Sequence, residues 1–138
     1  MSTTQKSDPR RRAGEIGEAA VRELVHKMGW LILDHNVRWR DGELDLIAVD
    51  GTTLVFVEVK TLVVRASTGE TAFSPFESIG PRKQMRIRKL ARRWLVDDLR
   101  RLQEDSKTRI TAFRFDAFAV TLSEDRSVRE IEHLADAF

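Results

Sequence analysis

Two apolar runs within residues 42–61, joined by an Asp-Gly dipeptide at 50–51, constrain this chain more than any other feature. An Asp-Gly pair between apolar runs predicts a β-hairpin, because glycine, and to a lesser degree aspartate, tolerates positive φ. The first run contains Asp45, and the second contains Glu58 and Lys60. Charge inside a buried strand is costly unless it is paired or binds a metal. These three residues are therefore candidates for a functional site.

The alternation of side chains along a strand predicts where these charges lie. Because side chains alternate faces with period two, Glu58 and Lys60 share a face. If residues 50–51 are the centre of the turn, Asp45 lies opposite Phe56 and diagonal to Glu58, about 7–8 Å away. A four-residue loop would put Asp45 directly opposite Glu58. Any even loop length keeps the charges together, whereas an odd length or a bulge separates them.

Two carboxylates and a lysine on one apolar hairpin predict a site for a hard metal ion. Mg²⁺ is bound by a few carboxylates and keeps several waters. We therefore expect Asp45 and Glu58 to bind Mg²⁺ (or Mn²⁺).

Composition favours a single soluble domain. The 138 residues fit one domain, and 41% of them are hydrophobic while 33% are charged. The absence of cysteine excludes disulfides and thiolate metal sites. No apolar run approaches the roughly 20 residues needed to span a bilayer, and the N-terminus lacks the apolar stretch of a signal peptide. We expect a cytoplasmic protein with no membrane partner.

The N-terminal part divides into a tail and a helix. Residues 1–12 are polar and end in three arginines, so we predict a disordered basic tail and a domain over residues 13–138. Residues 14–28 carry apolar side chains at helical spacing. Glu18 aligns with apolar residues three and seven positions later, so it borders the buried face of this helix and is placed to lean towards the hairpin charges.

Further strands and loops are predicted around the hairpin. They are a strand at 30–36, a polar loop at 38–41, a long connection at 61–80, a strand at 110–122 and a short strand at 128–131. Trp39, between two arginines, either stacks on a base or packs on its loop. The long connection has a length that is often functional or mobile. Asp116 is either a buried partner of an arginine or a residue at a strand edge.

Residues 81–103 are predicted to be a helix with a basic first half. Pro81 suits the first turn of a helix, and no acid precedes Asp97 in this stretch. A charge run can be a solvated face, but like charges without acidic partners repel one another, which favours an anionic partner. We therefore expect this helix to bind nucleic-acid phosphates. The expected contact residues are Arg82, Lys83, Arg86, Lys89 and Arg93.

Five segments resemble the signature of the YraN family, which is widespread in bacteria, endonuclease-like and largely uncharacterised. They are Gly17-Glu18, Asn36-Val37-Arg38, Gly42 to Ala48, Phe56 to Thr61 and Pro81 to Gln84. The pairing of Gly-Glu-Leu-Asp with Val-Glu-Val-Lys is the most specific part, and the match runs in order from about Gly14 to the C-terminus.

The resemblance implies an α/β fold with a restriction-endonuclease-like PD-(D/E)XK core, a mixed central sheet flanked by helices, similar to archaeal Holliday-junction resolvases. It implies that Asp45 and Glu58 bind the metal and that Lys60 positions or activates the attacking water. Glu18 would complete the site. Gln84 falls where related resolvases carry a helical glutamine, so we include it among the catalytic residues.

Three functions are compatible with this pattern. The first is a metal-dependent endonuclease that hydrolyses phosphodiester bonds in structured or branched DNA during repair or recombination, with a homodimer suggested by analogy with two-strand cleavage. The second is a DNA-binding accessory module with weak or no cleavage, because fold does not guarantee function. The third is a structural ion network, which ranks last because replacing buried charges often stabilises a fold.

Overall fold

The computed structural model of the chain describes residues 8–65, 79–104 and 109–138 and contains one mixed sheet. Its elements are α1 (Pro9–Lys27), β1 (Leu31–Trp39), β2 (Gly42–Asp50), β3 (Thr53–Val63), α2 (Pro81–Glu104), β4 (Ala112–Leu122) and β5 (Val128–Leu134). The five strands described lie in the order β1-β2-β3-β4-β5. Strands β3 and β4 are parallel, and the other neighbours are antiparallel. The α/β class with a mixed central sheet is confirmed, and the arrangement is consistent with a restriction-endonuclease-like core.

Each helix packs on one face of the sheet. Successive residues of β3 point to opposite faces, so Val55 joins a buried apolar cluster with Val21 of α1, while Phe56 joins another with Trp94 of α2. The centre of the sheet is therefore buried on both sides, whereas the edge strand β5 is largely exposed. Neither of the described helices has the length and apolarity needed to cross a membrane.

The central hairpin forms as predicted, but its turn lies one residue further along. Asp50 pairs with Thr53, so Gly51, with φ of 62°, is the first central residue. A two-residue turn with one left-handed position takes glycine there, and Asp50 stays in β2. The loop length remains even. Continued along both strands, this register brings Asp45 opposite Glu58.

Helix α1 begins before the predicted start at residue 14. Pro9 is its first residue, and the carboxylate of Asp8 accepts a 3.0 Å hydrogen bond from the backbone N–H of Arg10, which caps the helix. Residues 9–12 are helical, so the prediction of a disordered tail is wrong for them. Residues 1–7 lie outside the described residues.

Other boundaries also differ from the prediction. Strand β1 continues to Trp39, whose half-buried ring packs on the α2-side core with the Arg93 guanidinium 5.9 Å from its centroid. The packing alternative for this tryptophan is therefore the observed one. Strand β5 reaches Leu134. Most of the long connection predicted at 61–80 falls on residues 66–78, outside the described part of the chain.

Asp116 is the buried partner of an arginine, as one of its two predicted alternatives states. Its carboxylate accepts hydrogen bonds of 2.8 and 3.0 Å from Arg114 and one of 2.9 Å from the backbone N–H of Asp136. Nε2 of His133 lies 2.7 Å from the same carboxylate. Burial raises the pKa of Asp116, but the hydrogen bonds outweigh burial and hold the pKa below its ordinary value.

Candidate active site

The pleat of the sheet is interrupted at Asp45. Leu44 packs in the α2-side core and Leu46 in the α1-side core, although residues two apart share a face of a regular strand. Opposite Asp45 in the register lies Asn36, which has a left-handed φ of 51°, a conformation that asparagine tolerates better than most residues. The Asp45 carboxylate bonds to the backbone N–H of Val59 at 2.8 Å. At this point the side chain of Asp45, rather than a backbone carbonyl, thus accepts the hydrogen bond from the neighbouring strand β3.

An open cavity of about 1030 Å³ lies where β3 extends beyond the start of β2. Its walls come from α1, the first residues of β2, the second half of β3 with Arg65 after it, the first turn of α2 and the β4–β5 turn. Five acidic and five basic residues line it: Glu18, Glu43, Asp45, Glu58 and Glu124, and Arg10, Lys60, Arg65, Lys83 and Arg126. The structure therefore brings four of the five predicted catalytic residues to one cavity.

Asp45 and Glu58 are both buried, at 6% and 8% exposure, and they interact directly. Burial, and then the neighbouring charge of Glu58, raise the pKa of Asp45 to about 9, although the hydrogen bond from Val59 opposes the shift. No basic side chain pairs with Asp45 among the residues described here. Two ionised carboxylates would repel each other here, where water screens them poorly, so the metal-free protein holds the proton of Asp45 tightly.

Glu58 has a basic partner that the sequence did not indicate. Its Oε1 lies 2.6 Å from Nζ of Lys83, whose side chain is 39% exposed. The sequence predicts Lys83 only as a contact to nucleic acid. Its position in the first turn of α2 lets its ammonium reach the carboxylate across the cavity.

Glu18 and Glu43 lie beside Asp45. Ligand oxygens of these three residues are all within 4.8 Å of one another. Burial and the charge of Glu43 raise the pKa of Glu18. Glu43 is not among the residues that the sequence predicts for the site, although it stands two residues before Asp45 in β2; it also forms a 3.3 Å ion pair with Arg38. Its place in the Gly-Glu-Leu-Asp segment was the available signal.

Lys60 and Gln84 occupy different environments. Lys60 is half-buried and lines the cavity, and its ammonium forms no ion pair or hydrogen bond with any residue that the structure describes. Gln84 does not line the cavity. Its side-chain amide donates a 2.9 Å hydrogen bond to the carbonyl of Ile79.

The donor atoms fit a hard divalent cation. All of them are carboxylate oxygens, which Mg²⁺ and Mn²⁺ prefer. Burial and then repulsion from Glu58 raise the pKa of Asp45, and a cation near the two carboxylates would oppose both effects. The residues that could hold it are Glu18, Glu43 and Asp45, whose oxygens lie together, and Glu58, which interacts with Asp45.

The basic residues of α2 extend from this cavity towards the β1–β2 turn. Asp41 in that turn forms ion pairs of 3.6 Å with Lys89 and 3.5 Å with Arg93. Arg82 and Arg86 are exposed. We call the five predicted contact residues the α2 stripe: Arg82, Lys83, Arg86, Lys89 and Arg93. Three of its members have an acidic partner among the described residues: Lys83 pairs with Glu58, and Lys89 and Arg93 pair with Asp41.

Comparison with known sequences shows relatives over nearly the whole chain. The profile of the uncharacterised protein family UPF0102 matches residues 17–120. The UPF0102 protein of Geotalea daltonii is 42% identical over 126 residues, covering 91% of this chain and 87% of that protein. The UPF0102 protein of Pelotomaculum thermopropionicum is 40% identical over 132 residues, covering 96% and 99%. That of Moorella thermoacetica is 38% identical over 129 residues, covering 94% and 97%.

Proposed function

This chain belongs to the uncharacterised protein family UPF0102, which confirms the predicted YraN family, and we propose that it is a metal-dependent endonuclease acting on structured or branched DNA. One observation carries the proposal. Two buried, interacting carboxylates, Asp45 and Glu58, share an open cavity with Lys60, a lysine without an ion-pair partner in the described part of the chain. The α2 stripe begins at the same cavity.

The residues of the cavity have separate roles in this proposal. Asp45 and Glu58 hold the metal, and Glu18 and Glu43 complete its negative surroundings. When bound, Mg²⁺ or Mn²⁺ supplies a Lewis acid and lowers the pKa of water. Hydrolysis adds the water oxygen to phosphorus and expels one ester oxygen, which leaves with a proton. The ammonium of Lys60 offsets the negative charge that builds on the phosphate.

The α2 stripe is proposed to hold the DNA backbone. Contacts to phosphates position a protein on DNA but carry no sequence information, which suits recognition of a branched shape. Arg82 and Arg86 are exposed. Lys89 and Arg93 would break their ion pairs with Asp41 and bind phosphates instead.

The test is a cleavage assay with linear, flapped and four-way-junction DNA in Mg²⁺ and in Mn²⁺. We expect cleavage of the branched substrates, loss of cleavage with a chelator, and loss in Glu58→Gln. Glu23→Gln, the same change on the exposed face of α1, is the matched control. Thermal melts of both variants establish that they are folded. If the folded wild type cuts none of these substrates, the nuclease proposal is wrong.

A second candidate is a DNA-binding module without cleavage. The orientation of Gln84 favours it, because this side chain bonds to Ile79 instead of facing the cavity. Salt-sensitive binding to the junction without metal-dependent cleavage would support this second function.

A further inference from the structure

The contact between Lys83 and Glu58 places a positive charge on one of the two proposed metal ligands. The two atoms are 2.6 Å apart, and the side chain of Glu58 is only 9% exposed. Lys83 is the described cation that neutralises this carboxylate. The other cavity lysine, Lys60, pairs with no described residue.

A metal ion and the Lys83 ammonium need the same carboxylate. Mg²⁺ binds oxygen at about 2.0–2.1 Å, so an ion on Glu58 would lie within a few ångströms of an ammonium that is itself 2.6 Å from Oε1. Two cations at that separation repel strongly where solvent is partly excluded. Glu58 also stands outside the group formed by Glu18, Glu43 and Asp45.

We propose that Lys83 competes with the metal for Glu58, and that metal binding releases Lys83 to contact a phosphate of the nucleic acid. This inference rests on the proposed nuclease site. Lys83 is a positioning residue in this account. It keeps Glu58 neutralised in the metal-free protein and is available to the substrate only after the metal is bound.

The surroundings of Lys83 show where its side chain can go. It is partly exposed at the cavity, on the helix that carries the α2 stripe. Its flexible stem can turn from Glu58 towards a backbone phosphate held by that stripe. Metal and DNA then bind cooperatively. Because coupling is reciprocal, DNA must increase the affinity for the metal by the same factor as the metal increases the affinity for DNA.

The experiment measures Mn²⁺ binding by calorimetry without DNA, and then with a four-way junction in a Lys60→Met background that prevents cleavage. Lys83→Met should bind Mn²⁺ alone about fivefold more tightly or better, the lower end of common coupling factors. In Lys83→Met, addition of the junction should no longer increase the affinity for Mn²⁺. Lys83→Arg keeps the charge and should behave as wild type. Lys27→Met, on the exposed side of α1, is the matched control.

The outcomes separate this inference from the proposed function. If Mn²⁺ binds at a site that Glu58→Gln removes, but Lys83→Met leaves its affinity unchanged or lower, the competition is refuted and the metal site stands. If no Mn²⁺ site depends on Glu58, the metal site itself is refuted and the competition falls with it. Thermal melts of Lys83→Met and Lys83→Arg ensure that folded proteins are compared.

Discussion

The carboxylate of Asp45 accepts a 2.8 Å hydrogen bond from the backbone N–H of Val59, one residue after Glu58 in β3. The bond holds one buried carboxylate against another. Burial and the charge of Glu58 raise the pKa of Asp45 to about 9. Groups whose pKa is shifted in this way, by burial and a like charge, are concentrated at functional sites.

Asp45→Asn should stabilise the metal-free protein at alkaline pH. Because the folded protein binds this proton more tightly than the unfolded chain, with its pKa of about 3.9, ionisation of Asp45 destabilises the fold as pH rises towards about 9. We expect a gain of about 0.5–2 kcal/mol near pH 9 that shrinks towards pH 4. Thermal melts in chelator measure it, with Asp97→Asn on α2 as control. An equal effect at every pH would contradict the linkage.

Lys60→Met should remove cleavage and leave the fold intact. Its ammonium has no ion-pair partner in the described structure, so we expect a change in unfolding free energy within about 0.5 kcal/mol. The rate should fall by about 10²–10³, as for loss of one electrostatic contact to a transition state, while Mn²⁺ and DNA still bind. If the variant is unstable and the wild type has no activity, the structural ion network is the better account.

Asp41→Asn should strengthen DNA binding. It releases Lys89 and Arg93 from ion pairs of 3.6 and 3.5 Å. Exposed pairs contribute about 0.2–1 kcal/mol each, so the gain from releasing both should be at most about 30-fold in affinity. Fluorescence anisotropy with a labelled junction measures it. Asp97→Asn removes the same charge without releasing a described partner. An equal gain in affinity in that variant would mean that the change in net charge alone explains the effect.

Replacing Arg86, Lys89 and Arg93 together should flatten the salt dependence of DNA binding. The slope of log affinity against log salt should lose about 0.9 for each phosphate contact removed from duplex DNA. Titrations at several salt concentrations measure the slope. An unchanged slope would place the interface elsewhere.

Gly17→Ala should destabilise the packing of α1 on β3. A Cβ at Gly17 would collide with the hydroxyl of Thr61 and lie 3.0 Å from its Cβ, and overpacking costs about 1–3 kcal/mol. Adding Thr61→Ala should recover part of this loss, which a double-mutant cycle in denaturant measures. Gly14→Ala meets nothing within 4 Å and serves as the helical control. Equal losses at both glycines would argue against the close contact.

Removing Asp116 should affect the fold and its response to acid. Asp116→Ala leaves a half-buried Arg114 without its main partner, and breaking such a pair costs about 3–5 kcal/mol. Because the folded pKa is lowered, Asp116 stabilises the fold above its unfolded pKa of about 3.9, and this contribution is lost as pH falls further. Asp116→Asn should therefore lose less stability below that pH than wild type. Denaturant titrations at several acidic pH values compare the two proteins.

The sequence alone determined the elements with strong local signals. The Asp-Gly dipeptide and its flanking apolar runs predict β2 and β3, and apolar spacing after Pro81 predicts α2 nearly to its end at Glu104. The motif segments predict the family. These signals depend on backbone preference and periodicity, which act over a few residues. Asp8 followed by Pro9 is also a local signal for a helix start, but the three arginines after it favour the interpretation as a polar tail.

Only the tertiary structure decided how the site is completed. The even loop predicted that Asp45 and Glu58 meet, but the pleat interruption opposite Asn36 depends on the pairing of β1 with β2. The contact from Lys83 to Glu58 depends on how α2 packs against the sheet. Gln84, the next residue, faces Ile79 instead. No pattern in one chain segment encodes these relations, because each requires two segments distant in sequence to be held at a distance that packing of the whole domain sets.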